Sequence, residues 1–182
     1  MGAVFAASPF VSSWNPSERA RALGAPVSVD LSKLEVGQMV TYVWRKQPIY
    51  IFKRAAGVVA QLSAHDGRLK DPKSADSEQP LYAVNERRSR REDIAVLIAT
   101  CTHLGCLPKQ HFEAGDVVLG TDWPGGFLCP CHGSRFDMAG RVFNGSPAST
   151  NLRIPPYSFP NDNTLLIGQD EANNEAATQG VA

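Results

Sequence analysis

The chain is poor in cysteine and histidine, and it carries no net charge. Among its 182 residues are four cysteines and four histidines, and lysine plus arginine equal aspartate plus glutamate at 18 each. That balance leaves no broad basic face, which argues against nucleic acid as a partner and makes partner choice a matter of local patches. No apolar run reaches the ~20 residues that a bilayer-spanning helix needs. Ala3 to Val11 is apolar but short, is interrupted by Ser8-Pro9, and lacks the positive n-region of a secretory signal. At 43% apolar content, the length suits one substantial core and not two.

What cysteine there is stands in one place. The segments Cys101-Thr102-His103-Leu104-Gly105-Cys106 and Cys129-Pro130-Cys131-His132-Gly133-Ser134 hold every cysteine and two of the four histidines. Each segment offers one thiolate and one imidazole within a tight loop: Cys101 with His103, and Cys129 with His132. Two sulfur and two nitrogen donors suit a single tetrahedral zinc ion, although zinc leaves Cys106 and Cys131 unexplained. The same donors suit a [2Fe-2S] cluster in which two histidines replace two cysteines on one iron.

The doubled motif resembles the Rieske family, and the extra cysteine in each loop resembles the branch found in quinol-oxidising cytochrome bc complexes. Rieske ferredoxins and ring-hydroxylating oxygenases share the cysteine and histidine ligands but generally lack the extra pair. The resemblance implies one [2Fe-2S] cluster, with Cys101 and Cys129 on the buried iron and His103 and His132 on the outer one. It also implies a disulfide between Cys106 and Cys131, which leaves no odd cysteine. Ser134 stands where the family places a hydroxyl donor to a bridging sulfide, and Gly105 and Gly133 let the backbone come close. Gly145-Ser146-Pro147-Ala148-Ser149 occupies the place of a proline-rich loop that covers the cluster, though it departs from the usual form; the plain alternative is a surface turn.

Charge counting explains what such a centre does. Two ferric irons, two sulfides, two thiolates and two neutral imidazoles sum to zero, so an electron enters more easily than it enters a four-thiolate cluster. On reduction, the new negative charge about 5 Å from each far ring nitrogen makes the histidines hold a proton more tightly, by roughly 3 kcal/mol at an effective dielectric near 20. Coupled uptake of an electron and a proton suits oxidation of a hydroquinone. The resemblance accordingly implies a subunit that takes an electron and a proton from ubiquinol and passes the electron to cytochrome c1, with cytochromes b and c1 as partners. His132 is the substrate-facing ligand, His103 is also solvent-exposed, and Leu104 supplies apolar docking surface. The alternative is a stand-alone ferredoxin-type carrier for an oxygenase. A disulfide implies a compartment outside the reducing cytosol. The family places the head on the periplasmic side of the bacterial inner membrane, and Ala3 to Val11 then reads as the outer end of an N-terminal anchor helix behind an introduced Met1-Gly2.

The remaining sequence reads as an all-β fold with a short helix: an antiparallel β base carrying an inserted cluster-binding subdomain at about 101–134. Residues 1–26 read as anchor remnant and flexible tether, 27–168 as the Rieske domain, and 169–182 as a solvated tail. Met39 to Trp44 and Pro48 to Phe52 form a hairpin across Arg45-Lys46-Gln47, and Ile94 to Thr100 is a strand that delivers the chain into Cys101. Ala55 to Ala64 reads as a helix; Val142-Phe143, Leu152 to Ile154 and Leu165 to Ile167 read as returning strands. Asp66 to Gln79, the Arg87-Arg88-Ser89-Arg90-Arg91 run, His65 and His111 are all expected at the surface. Phe136 stands where high-potential relatives carry a tyrosine that hydrogen-bonds a ligand sulfur, so Phe136→Tyr is expected to raise the reduction potential. Redox titration checks this, and an unchanged or lowered potential refutes it.

Overall fold

The structure, a computed structural model, describes residues 24–170. The expected anchor stub, most of the tether, and the tail from residue 171 lie outside the described residues. No helix among the described residues is long and apolar enough to cross a membrane.

Three antiparallel three-stranded sheets make up the fold of the described residues. β1 (Val27–Asp30), β9 (Thr164–Ile167) and β8 (Tyr157–Asn161) form the first, in the order β1-β9-β8. β2 (Met39–Trp44), β3 (Gln47–Lys53) and β4 (Ile94–Ile98) form the second, with β3 in the centre. β5 (Lys109–His111), β6 (Gly126–Leu128) and β7 (Arg135–Asp137) form the third, and the two cysteine-histidine segments join its strands to β4 and to each other.

The hairpin forms as the sequence predicts. Trp44 pairs with Gln47, and Arg45 and Lys46 make the two-residue turn with φ of 49° and 63°. Positive φ at both turn residues matches the right-handed twist of the flanking strands. β4, Ile-Ala-Val-Leu-Ile, is buried along its whole length because β3 flanks it and the core covers both faces. One continuous apolar core joins Ile49, Ile51, Phe52, Val96, Phe127, Phe136, Leu165 and Ile167, and it extends to Cys101 and Cys129. Phe52, Phe112 and Phe127 pack as a triad with ring centroids 5.1 to 5.4 Å apart.

Several polar segments are placed differently from expectation. The helix α1 covers only Ala56–Ala60, after which a 3-10 turn runs from Leu62–Arg68; Gly57 and the β-branched Val58-Val59 pair weaken a longer helix. Val142 and Phe143 pair singly, with Phe136 and Leu69, and Leu152 to Ile154 forms no strand, because this stretch crosses the core and does not run along a neighbour. Asp66 to Gln79 is no simple surface loop: Leu69, Asp71 and Ser74 are buried in it. Arg88 and Ser89 of the basic run are also buried. The Arg88 guanidinium reaches the backbone carbonyls of Ala139 and Gly140 and the side chain of Gln79, and those acceptors replace water. His111 is half-buried and its Nδ1 lies 2.9 Å from Asp116.

His65, expected in solvent, is 9% exposed and belongs to a buried ionic cluster. Its Nε2 lies 3.3 Å from Asp137 Oδ2, and its ring stacks on Phe143. Asp137 also accepts from Arg141 Nε and from the backbone N–H groups of Ala139 and Arg141, each at 2.8 Å. Arg141 extends the cluster to Asp66 and to the Leu62 carbonyl. Burial alone pushes the Asp137 carboxyl up, but the His65 hydrogen bond and the Arg141 charge outweigh it and hold the group below its ordinary value. A depressed carboxylate stabilises the fold above its unfolded value of about 3.9 and loses that contribution as the pH falls through its folded value. Asp137→Ala is expected to cost about 3 kcal/mol at neutral pH, because the buried Arg141 loses its fully buried carboxylate partner and keeps only the partly exposed Asp66. Urea denaturation across an acid pH series checks both parts: the variant should be less stable, and its loss of stability in acid should be shallower than that of the parent.

Candidate metal centre

The two cysteine-histidine segments fold into loops closed in the same way. In the first, the Cys101 N–H donates to the Cys106 carbonyl at 2.8 Å, and the Gly105 N–H donates to the Cys101 carbonyl at 2.9 Å. In the second, the Cys129 N–H donates to the Ser134 carbonyl at 2.8 Å, and the Gly133 N–H donates to the Cys129 carbonyl at 2.9 Å. The fifth residue of each loop takes a left-handed φ, +83° at Gly105 and +76° at Gly133, which only glycine adopts without strain.

This closure sorts the donors by depth. The opening residues are sealed by the end of the core, Cys101 at 3% and Cys129 at 2% exposure. The middle residues stand outside: His103, Leu104 and His132 are all exposed, and Leu104 reaches 70%. The imidazoles of His103 and His132 meet nearly at right angles, with ring centroids 4.9 Å apart. Cys106 and Cys131 form a disulfide that ties the loops together across 25 residues of sequence. The Sγ atoms of Cys106, Cys129 and Cys131 lie within 4.8 Å of one another, but two of those sulfurs are tied up in the disulfide, so Cys101 and Cys129 are the free thiols.

The surroundings fit a cationic inorganic centre. Burial pushes the Cys101 thiol up, against opposing hydrogen bonds from the His103 backbone and the Ser134 hydroxyl. Two adjacent thiols in so apolar a setting ionise readily only with a positive metal as counter-charge. Ser134 is fully buried, and its Oγ accepts the Ala148 N–H at 3.0 Å. The stretch 145–149 therefore lies against the second loop, and Thr102 Oγ1 ties it to the first by donating to the Thr150 carbonyl at 2.6 Å. A groove of about 590 Å³ runs beside the first loop, past His103, Leu104, Thr150 and Arg153. A larger one, about 650 Å³ beside Arg54 and Glu92, shares no residue with the loops.

The family model of the Rieske [2Fe-2S] domain matches residues 27–157. The chain belongs to the Rieske family. It is similar to the ubiquinol-cytochrome c reductase iron-sulfur subunit of Allochromatium vinosum, 50% identical over 95% of this chain and 84% of that protein. It is also similar to the subunit of the same name from Blastochloris viridis, 40% identical over 92% of this chain and 84% of that one. Among solved structures, one described as hyperthermophilic respiratory complex III shares the fold, with a TM-score of 0.51 at 24% identity over 90% of this chain and 95% of that one. The Rieske domain carries a [2Fe-2S] cluster, which removes the zinc alternative.

All the residues singled out in the sequence, Cys101, His103, Leu104, Cys106, Cys129, Cys131, His132 and Ser134, lie in these two loops. What the sequence missed is the clamp on the stretch 145–149, a third loop lying beside the two that hold the cysteines. Lys70 Nζ donates to the Ser146 carbonyl at 2.6 Å and the Ala148 carbonyl at 2.7 Å, and the Asn151 amide donates to the Asp71 carbonyl at 2.9 Å. Only the polar character of both stretches hinted at it. Phe136 is fully buried on β7 opposite Phe127, so a hydroxyl introduced there must find a sulfur or backbone partner. Replacing both Cys106 and Cys131 by alanine is expected to cost up to ~3.5 kcal/mol in urea denaturation, the loop-closure value for this span. A loss indistinguishable from zero would mean that the loops hold their arrangement without the bond.

Proposed function

We propose that Cys101 and Cys129 bind the inner iron of the [2Fe-2S] cluster, that His103 and His132 bind the outer iron, and that the protein is the quinol-oxidised subunit of a ubiquinol-cytochrome c oxidoreductase. One observation carries this reading: two imidazoles stand exposed and 4.9 Å apart above two buried free thiols. When bound, the cluster supplies a one-electron acceptor of high potential.

The residues of the chain supply the rest. Cys101 and Cys129 anchor the centre to the end of the core, where they are shielded from solvent. His132, exposed on the second loop, presents its unligated ring nitrogen to a quinol hydroxyl and receives its hydrogen bond and then its proton. His103 faces the same side of the tip, and Leu104 beside it offers apolar surface where that tip meets a membrane-bound partner. The disulfide and the two loop closures keep both rings fixed relative to each other while they exchange partners. The chemistry suits docking first on cytochrome b, at the quinol, and then on cytochrome c1, on the periplasmic side of a bacterial inner membrane. Similarity to ubiquinol-cytochrome c reductase subunits supports these partners, and the disulfide supports the compartment.

Two measurements test the reading. EPR of the dithionite-reduced protein is expected to give a [2Fe-2S] signal with two nitrogen ligands, lost in Cys101→Ser and Cys129→Ser; a colourless protein holding one zinc ion refutes it. In the assembled complex, Leu104→Asp is expected to lower quinol turnover about tenfold, a loss of about 1.4 kcal/mol of transition-state stabilisation, while leaving the EPR signal unchanged. Full turnover in that variant refutes the docking role.

A further inference from the structure

Lys70 lies in the polar stretch that the sequence assigns to the surface, between the buried Leu69 and Asp71. Its own N–H donates to the Val142 carbonyl at 3.0 Å, so the backbone at this point is fixed. Its ammonium then bridges two carbonyls of the third loop, those of Ser146 and Ala148, which flank Pro147. Proline has no N–H and a fixed φ, so pinning the carbonyls on both sides of it fixes the plane of the peptide between Pro147 and Ala148.

That peptide carries the Ala148 N–H, which points at Ser134 Oγ. A hydroxyl has one hydrogen and two lone pairs. Once Ala148 occupies a lone pair, the Ser134 hydrogen is directed elsewhere; Ser134 closes the loop of the free thiol Cys129, whose N–H donates to the Ser134 carbonyl at 2.8 Å, and its hydroxyl also favours the ionised Cys101. The arrangement is stiff on its other sides as well, since the Arg135 N–H donates to Ser146 Oγ and Asn151 is held by the Asp71 carbonyl and by Ser74.

We propose that Lys70 is a positioning residue for the redox centre: by clamping the third loop, it orients the Ser134 hydroxyl toward that centre and raises the reduction potential. This rests on the assignment of Cys101 as a ligand. The sign follows from charge. Reduction adds negative charge at the cluster, and a hydrogen bond donated toward it stabilises the reduced form more than the oxidised one. Lys70 itself is exposed to solvent, so screening weakens any direct effect of its charge, and the route through Ser134 dominates.

The test is a redox titration of cluster-loaded Lys70→Met, Lys70→Gln, Lys70→Arg, Ser134→Ala and the double variant Lys70→Met/Ser134→Ala. Lys70→Met and Lys70→Gln are expected to lower the equilibrium constant for reduction about three- to tenfold, the worth of one hydrogen bond. Lys70→Arg, which still donates, should recover most of that loss. In the double variant, the Lys70 substitution should add nothing to the effect of Ser134→Ala. An unchanged potential in Lys70→Met and Lys70→Gln overturns the proposal, as does an effect that adds fully to that of Ser134→Ala. If the ligand assignment itself is wrong, the failure looks different: the unsubstituted protein then lacks a two-nitrogen [2Fe-2S] EPR signal, before any Lys70 variant is compared.

Discussion

Burial of two cysteine side chains at the end of an apolar core is the constraint from which the tip of this molecule follows. Cys101 and Cys129 belong to the same packed cluster as Phe127, Phe136 and Leu97, so the strands that build the core also set the depth of the sulfurs. β4 leads into the first loop after an unbroken apolar run, and β6 leads into the second after Phe127-Leu128. With both opening residues pinned, the same pair of backbone hydrogen bonds turns each loop back on itself and leaves its middle residues outside. The division between soft, shielded sulfur and wet, accessible nitrogen is thus a consequence of loop closure on a rigid floor. No separate device is needed to expose the imidazoles.

Much of this was legible from local sequence. The hairpin between β2 and β3 was readable because β-branched and aromatic runs flank a short polar turn, and the two loops were readable because donor type, spacing and glycine position are all local properties. The buried polar segments were not. Asp66 to Gln79 and Arg87 to Arg91 look like solvated surface, since polar side chains normally keep to water. Arg88 and His65 are buried here, and the exposed Lys70 is tied down, because their acceptors are backbone carbonyls and carboxylates far away in the chain: Ala139 and Gly140 for Arg88, Ser146 and Ala148 for Lys70, Asp137 for His65. Partners separated by 50 to 80 positions leave no trace in a local pattern. The helix after Ala55 is half-legible: the apolar residues at 58, 59 and 62 mark a helical start, but the α-helix stops at Ala60 because Gly57 and two valines oppose continuation.

The polar segments and the redox loops form one mechanical unit. The stretch from Lys70 to Ser77 grips 146–151 through an ammonium, an amide and a serine hydroxyl. The gripped stretch touches both redox loops, the first through Thr150 and the second through Ala148. The His65-Asp137-Arg141-Asp66 cluster then holds the chain leaving β7 against the 3-10 turn that leads toward Lys70. Rigidity at the tip is therefore built largely from hydrogen bonds between elements remote in sequence, on a floor set by apolar packing.

The Cys106–Cys131 bond also sets the donor count at the tip. It takes two of the four sulfurs out of ligation, so the thiols left in the loops are Cys101 and Cys129, and the nitrogen donors beside them are the imidazoles of His103 and His132. A reductant that opened the bond would return two competing thiols to the same pair of loops.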